Sequence, residues 1–304
     1  MTEKLGSMLD ELDPMARLHE VLTLTPEPDA ENGEKRYSGP SHWMPTGRVF
    51  GGQILAQAII AANTTIEPGR ALHSIHGYFL RSGDLSKPVH YQVEVLRDGR
   101  SFSQRHVQAS QDGKAIFTLI ASFQTPDVGI EHQEPLTLDV PSPEDLPTAA
   151  SLLASAPPIA QLAFDGYRAF DIRHIPSPVY LSVEGEHTAH QAVWLKTLGA
   201  FTGDAPLQRA ALAYASDYTI LEPIFRRHGI AWTHRGLNSA SLDHAMWFHR
   251  DARVDDWLLY VQESPTAQGG RGLAMGRIYN RQKELIATVV QEGMVRIPEI
   301  QRPN

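Results

Sequence analysis

Two stretches of the chain are apolar or small on nearly every helical face. They are residues 48–63 and 205–221, and a helix with this pattern is buried on all sides. After each stretch, polar and apolar residues alternate over several segments, which is typical of strands with one buried face. The pattern therefore predicts an α+β fold with two central helices, each wrapped by an antiparallel sheet.

The alternating segments give the predicted strands. In the first half they span residues 72–81, 88–99, 101–110 and 111–124. The Asp-Gly pairs that begin at Asp98 and Asp112 predict hairpin turns between them. In the second half the predicted strands span residues 179–184, 190–201, 238–250, 257–265, 271–280 and 283–297. The stretch between the halves is rich in Pro, Asp and Glu, as linkers are.

The two halves resemble each other at a spacing of about 170 positions. Residues 99–102 (GRSF) align with 270–273 (GRGL), 115–118 (AIFT) with 285–288 (LIAT), and 78–81 (YFLR) with 247–250 (WFHR). A repeat of this length predicts two fused units of one fold. The predicted organisation is an N-terminal helix and leading segment at 1–47, a first unit at 48–125, a linker at 126–165 and a second unit at 166–304.

Composition narrows the class of protein. Of 304 residues, 42% are hydrophobic and 20% charged, as in soluble globular proteins, and the formal charge of −8 argues against nucleic acid or an anionic membrane surface as partner. The absence of cysteine excludes disulfides, thiolate nucleophiles and cysteine metal sites. No signal-peptide order, no membrane-length apolar run and no peroxisomal tripeptide occur, so a cytoplasmic protein with no membrane span is expected.

The second apolar stretch contains one carboxylate, Asp217. Its helical neighbours three and four positions away are Ala213, Tyr214, Ile220 and Leu221, so no positive side chain reaches it along the helix. A buried ionised carboxylate costs several kcal/mol unless donors arrive from elsewhere in the fold. Asp217 is therefore either a satisfied structural group or a functional base.

Two more polar residues appear only in the second half. By the repeat, Ser241 stands where the first half has Leu72, and Gln291 where it has Ala121. Alternation places Gln291 at the end of an apolar row on its strand. A carboxylate, a hydroxyl and an amide together suit the activation of water. The amides of Gly51-Gly52, at the start of the first helix, are candidate donors to an oxyanion.

Other interpretations remain open on these residues. Asp243 is two positions after Ser241, and strict alternation places it on the same face, so Asp243 competes with Asp217 as base. Gln291 alone is also typical of a polar residue at a sheet edge. His244 and His249 fall on opposite faces, which argues against a metal site. The glycines at 269–272 lack the Lys-Ser/Thr of a phosphate loop and predict a hairpin turn.

Several segments together resemble the acyl-CoA thioesterase II family over nearly the whole chain. They are RVFGGQILAQAIIAA (48–62), LHSIHGYFLRSGD (72–84), residues 98–124, LDHAMWFHR (242–250) and ATVVQEGMVR (287–296). The resemblance implies a double hotdog and a catalytic trio of Asp217, Ser241 and Gln291. Ser241 stands where several bacterial members have Thr, which favours a role in holding water.

The implied reaction is hydrolysis of a medium- to long-chain fatty acyl-CoA to the free acid and coenzyme A, with no cofactor or metal. The resemblance also implies a homo-oligomer, either dimer or tetramer. Candidates to hold the CoA phosphates are Arg70, Lys87, Arg97 and Arg271. The rival functions are a noncatalytic double hotdog that binds acyl-CoA or lipid, and a hotdog enoyl-CoA hydratase.

Overall fold

A computed structural model describes residues 13–300, in which all thirteen strands join one sheet. The helices are α1 (Pro14–Val21), α2 (Gly51–Asn63), α3 (Ala149–Leu152), α4 (Pro158–Gln161), α5 (Ala205–Ser216) and α6 (Glu222–His228). The strands of the first half are β1 (Thr25–Glu27), β2 (Lys35–Gly39), β3 (Ala71–Phe79), β4 (Val89–Asp98), β5 (Phe102–Gln111) and β6 (Lys114–Gln124). Those of the second half are β7 (Phe170–Ile175), β8 (His190–Thr197), β9 (Asn238–Ser241), β10 (Asp243–Phe248), β11 (Leu258–Gln268), β12 (Arg271–Tyr279) and β13 (Leu285–Arg296).

Two predictions concern the N-terminal part of the chain: a helix and a leading segment at residues 1–47. The part of the predicted N-terminal helix before residue 13, and the final residues 301–304, lie outside the described residues. The leading segment predicted at 1–47 contains α1 and also two strands, β1 and β2, which pair with each other and with β4.

Two half-sheets meet at the centre of the molecule. The strand order is β1-β2-β4-β5-β6-β3 in the first half, continued by β10-β13-β12-β11-β8-β7 in the second, with β9 paired to β13. The junction is the antiparallel pair β3 and β10, in which Ile75 faces Met246. Ile75 pairs with Ala121, and Ala245 pairs with Val290, so the registers repeat at the spacing found in the sequence.

Helix α2 is buried because it carries no charged residue. Ten of its 13 residues are buried, and burial of each large aliphatic side chain contributes about 1.5–3 kcal/mol. Its polar side chains are satisfied: Gln57 donates to the carbonyl of Val21 at 3.0 Å and accepts from Tyr91 at 2.6 Å. A Cβ on Gly52 would lie 2.3 Å from the carbonyl oxygen of Tyr214, so only glycine allows α2 and α5 to approach this closely.

The second central helix is shorter than predicted. The expectation of one helix over 205–221 is wrong, because α5 ends at Ser216 and Asp217 occupies its C-cap. Pro223 prevents one continuous helix from running into α6, because it has no N–H for a helical bond and its ring clashes with the carbonyl four residues earlier, that of Thr219. A turn at residues 217–221 therefore separates α5 from α6.

One predicted strand is absent and another was missed. Residues 179–184 form a loop whose carbonyls at Val179 and Tyr180 accept from the amides of Trp232 and Thr233, so its apolar residues reflect packing and not sheet pairing. Strand β7 escaped prediction because it is short and its alternation fails at the end, where the polar His174 is the buried residue and Ile175 is only half-buried. The hairpin at Asp112 is confirmed, with φ of 50° there and 71° at Gly113. The glycine run of the second half is likewise a hairpin between β11 and β12.

Candidate active site

The three residues singled out in the second half lie in direct contact. Asp217 caps α5, Ser241 ends β9, and Gln291 lies in β13. The hydroxyl of Ser241 donates to Oδ1 of Asp217 at 3.2 Å, and Nε2 of Gln291 donates to the same oxygen at 3.1 Å. Nε2 of Gln291 also donates to Oγ of Ser241 at 2.9 Å. The three side chains therefore form a closed triangle around one carboxylate oxygen.

The start of α2, from the first half, completes the surroundings of Asp217. The backbone amide of Gly52 faces the Asp217 carboxylate and lowers its pKa. A Cβ on Gly51 would lie 2.6 Å from Oδ2 of Asp217, which shows how closely the helix start approaches the carboxylate. Phe50, the N-cap, gives no side-chain acceptor to the first turn. The positive end of α2 thus takes its negative partner from the end of another helix.

Desolvation dominates the electrostatics of Asp217. Burial raises the pKa of Asp217 to about 6, opposed by hydrogen bonds from Gln291, Ser241 and the amide of Gly52. Packed groups surround the side chain, yet the residue keeps a small accessible surface. A carboxylate with a pKa near 6 is ionised at neutral pH and basic enough to accept a proton from water.

A one-residue irregularity excludes the competing base Asp243 from the triangle. Ser241 pairs with Gly293, whereas Ala245 pairs with Val290, so the register shifts by one between β9 and β10. Alternation is broken there, and the expectation that Asp243 shares the face of Ser241 is wrong. Asp243 accepts the backbone N–H of Glu292 at 2.7 Å.

The same shift brings His244, which the sequence reasoning did not consider for the site, beside the triangle. His244 is fully buried, and its Nδ1 contacts Oε1 of Gln291. Its Nε2 lies 3.1 Å from Oγ of Ser216, the residue that precedes Asp217. Burial lowers the pKa of His244 to about 4, so the ring is neutral at physiological pH. His249 lies on the other face, against Thr288.

Three of the four basic residues proposed for the CoA phosphates make other contacts. Lys87 pairs with Asp84 and Asp112, Arg271 pairs with Glu292, and Arg70 donates to the carbonyl of Gly99. The remaining candidate, Arg97, lies near Gly99.

Arg48 is a further basic residue, and it lies close to the triangle of Asp217, Ser241 and Gln291. It is partly buried in the first half, and its Nη2 donates to the carbonyl of Ser239 in β9, at 3.3 Å. Its side chain thus crosses between the halves two residues from Ser241. Among residues 13–300, Arg48 takes part in no ion pair. The sequence signal for Arg48 was its place just ahead of the Gly51-Gly52 helix start.

Within residues 13–300, no three His, Cys, Asp or Glu side chains cluster as metal ligands would. No helix in that same range is long and apolar enough to span a membrane.

Two repeated units, each with antiparallel strands and helices, joined through their sheets, define a double hotdog protein. Residues 40–124 match the family model of the acyl-CoA thioesterase N-terminal domain, and residues 167–294 match that of acyl-CoA thioesterase. The chain is 38% identical over 270 residues to acyl-CoA thioesterase 2 of Haemophilus influenzae, covering 86% of this chain and 93% of that one. It therefore belongs to the acyl-CoA thioesterase II family and is a thioester hydrolase.

Solved structures agree with this assignment. An acyl-CoA thioesterase II from Mycobacterium marinum is 37% identical, with a TM-score of 0.73 over 94% of this chain and 100% of that one. A hot dog protein of unknown function from Alicyclobacillus acidocaldarius has a TM-score of 0.75 over 93% of this chain and 98% of that one. At 18% identity, this second likeness speaks for the fold alone.

Proposed function

We propose that the protein hydrolyses medium- to long-chain fatty acyl-CoA to the free acid and CoA, with Asp217 as general base. The observation that carries the proposal is the closed triangle of Asp217, Ser241 and Gln291 at the start of α2. The second unit, predicted at 166–304, supplies these three side chains, and the first supplies the helix start.

The reaction needs one base and a set of oriented donors. Ser241 and Gln291 hold a water beside Asp217, which takes one proton as the water oxygen attacks the thioester carbonyl carbon. The oxyanion of the tetrahedral intermediate accepts hydrogen bonds at the first turn of α2, where the amide of Gly51 is the candidate donor. The carbon–sulfur bond then breaks, CoA leaves as a thiolate, and Asp217 returns its proton to the solvent or to the thiolate.

A thioester suits this arrangement of groups. Its carbonyl is more electrophilic than that of an amide, and a thiolate leaves without protonation, so no strong general acid is required. Ser241 orients water in this scheme and forms no covalent intermediate. A Ser241→Thr variant, which keeps the hydroxyl, is therefore expected to retain activity.

The substrate class rests on the relatives and on the charge near the site. The proteins that this chain resembles are named as acyl-CoA thioesterases. Arg48, beside β9 and outside any described ion pair, is well placed to bind a phosphate of CoA. The cytoplasmic location and the homo-oligomeric state stay predictions.

The first experiment is turnover of palmitoyl-CoA, followed with a thiol-reactive dye. Asp217→Asn, Ser241→Ala and Gln291→Ala should each lower kcat, by roughly 100-fold or more for the base and less for the orienting groups. Asp243→Asn is the matched control and should keep its kcat.

Two outcomes would favour the rival functions. If no thiol is released at any chain length while acyl-CoA still binds, the protein is a binding module. If an enoyl-CoA is converted to a hydroxyacyl-CoA, the protein is a hydratase.

A further inference from the structure

The orientation of the Gln291 side chain is a separate problem from its position. Its Nε2 must face Asp217 and Ser241, because both contacts require a donor. A rotation of the amide by half a turn would place Oε1 about 3.1 Å from Oδ1 of Asp217, so that two acceptors would face each other. Asp217 would then lose one of the donors that stabilise its charge. A donor that faces Oε1 on the other side of the amide would reinforce the productive orientation.

We propose that His244 is this positioning residue, and that its Nδ1–H holds Gln291 in the orientation that donates to Asp217 and Ser241. The inference rests on the function proposed above. Nδ1 of His244 contacts Oε1 of Gln291, which as an amide oxygen can only accept. A flipped amide would turn its NH2 group towards this N–H, and two donors would meet in a fully buried place.

The contact with Gln291 in turn sets the tautomer of His244. The ring is neutral, so only one of its nitrogens carries a proton, and the contact with Gln291 requires that nitrogen to be Nδ1. Nε2 is then an acceptor, and the hydroxyl of Ser216 lies 3.1 Å from it; the single proton of that hydroxyl also has the carbonyl of Ala213 as an acceptor, at 2.9 Å. Ser216 contacts His244, His244 contacts Gln291, and Gln291 contacts Asp217. Asp217 directly follows Ser216 in the chain. His244 touches none of the reacting atoms and acts only through Gln291.

The test uses three substitutions that separate donor position from size. His244→Asn places an amide N–H near the former Nδ1, His244→Gln places one near the former Nε2, and His244→Leu removes the donor. We expect His244→Asn to keep kcat within roughly 3-fold, and the other two to lose roughly 10- to 100-fold, the usual effect of removing an outer-shell partner. KM should change little, because the ring does not contact substrate. The acid limb of the pH–rate profile should move to higher pH in His244→Leu and His244→Gln, since Asp217 loses a donor.

A double substitution shows whether His244 acts through Gln291. In a Gln291→Leu background, His244→Leu should cause no further loss of kcat. Circular dichroism and thermal melting establish that each variant folds. If His244→Leu does not fold, the comparison of Asn with Gln at this position decides, because the two are alike in polarity. Equal activity of these two variants, or a further loss in the double variant, would overturn the proposal.

A measurement on the resting protein separates this inference from the proposed function. Nitrogen NMR of histidine-labelled protein, with His244→Asn used to assign the signal, reports which ring nitrogen of His244 carries the proton. We expect the Nδ1–H tautomer. An Nε2–H tautomer would refute the positioning role whatever the substrate, whereas a wild type with this tautomer and no thioester hydrolysis would refute only the proposed function.

Discussion

The desolvation of Asp217 predicts that the proposed general base destabilises the fold at neutral pH. The pKa of Asp217 is raised from 3.8 to about 6, so the folded protein pays for ionisation of this group. Each unit of pKa corresponds to about 1.4 kcal/mol, which gives roughly 3 kcal/mol above pH 6. Asp217→Asn removes the charge but leaves the amide of Gly52 facing an NH2 group, at a cost of about 1 kcal/mol. The expected net gain in the free energy of unfolding is about 2 kcal/mol.

The stability cost of Asp217 depends on pH, because it arises only where the carboxyl group is ionised. Below pH 3.8 the carboxyl is protonated in both folded and unfolded chains and carries no penalty. Between pH 3.8 and about 6 the unfolded chain ionises first, so the wild type loses stability as the pH rises through this window. The advantage of Asp217→Asn should therefore be full at about pH 7.5 and should disappear at about pH 4.5.

Thermal and urea unfolding at the two pH values measure this difference. A gain of about 2 kcal/mol corresponds to a rise in Tm of about 4–8 °C for units of this size. The same variant should have lost nearly all turnover of palmitoyl-CoA. Asp243→Asn is the control for a nearby carboxylate, and it should keep its activity. The reasoning fails if Asp217→Asn is no more stable than the wild type near neutral pH, or if its gain is the same at both pH values.

Three further predictions concern the surroundings of Asp217. The pH profile of kcat/KM should show one acid limb at about pH 6, and His244, with a pKa of about 4, should add no second limb above pH 5. Ultraviolet absorbance of the thioester measures this, and a second limb above pH 5, or no limb near pH 6, would contradict it. Gly51→Ala places a Cβ 2.6 Å from Oδ2 of Asp217 and should lower kcat by roughly 10- to 100-fold. Gly129→Ala is the control: a Cβ added there has no atom within 4 Å, so this variant should match the wild type in the same assay. Arg48→Ala should raise KM for palmitoyl-CoA by roughly 10-fold but leave KM unchanged for a palmitoyl-pantetheine that carries no phosphates. Arg271→Ala is the control, because Arg271 is paired with Glu292. An equal rise in KM for both substrates in Arg48→Ala would exclude phosphate binding.

Local patterns were sufficient to predict the main elements and the candidate trio. Helix α2 follows from an uninterrupted apolar stretch, and the hairpin at Asp112 follows from its Asp-Gly pair. Asp217, Ser241 and Gln291 stood out because the other repeat has no polar counterpart at the two strand positions. Residues that the fold requires should occur in both repeats. Polar residues that occur in only one repeat are therefore candidates for function.

The features that escaped prediction depend on contacts between distant segments. The register shift between β9 and β10 replaces Asp243 by His244 beside Gln291, and no local pattern marks it. The close approach of Gly51 and Gly52 to the Asp217 carboxylate joins two helices from different repeats. The break between α5 and α6 did not depend on distant contacts in this way. Pro223 is visible in the sequence, and it excludes one continuous helix through that position.

The two repeats contribute different parts of the site because of one insertion. Helices α2 and α5 are about 154 positions apart, whereas β3 and β10 are about 170 apart, so the second repeat has about 16 more residues between its central helix and the next strand. The turn after Asp217 and helix α6 lie in this longer connection.

The two helix starts also differ. Asp204 caps α5 by accepting the amide of Leu207 at 3.1 Å, so that helix start already has a carboxylate from its own chain segment. Helix α2 begins with Phe50, which has no acceptor, and takes its carboxylate from Asp217 of the other repeat. A local cap would compete for the amides at the start of α2. The absence of a side-chain cap at Phe50 is therefore part of what leaves these amides to Asp217 and to a reacting carbonyl.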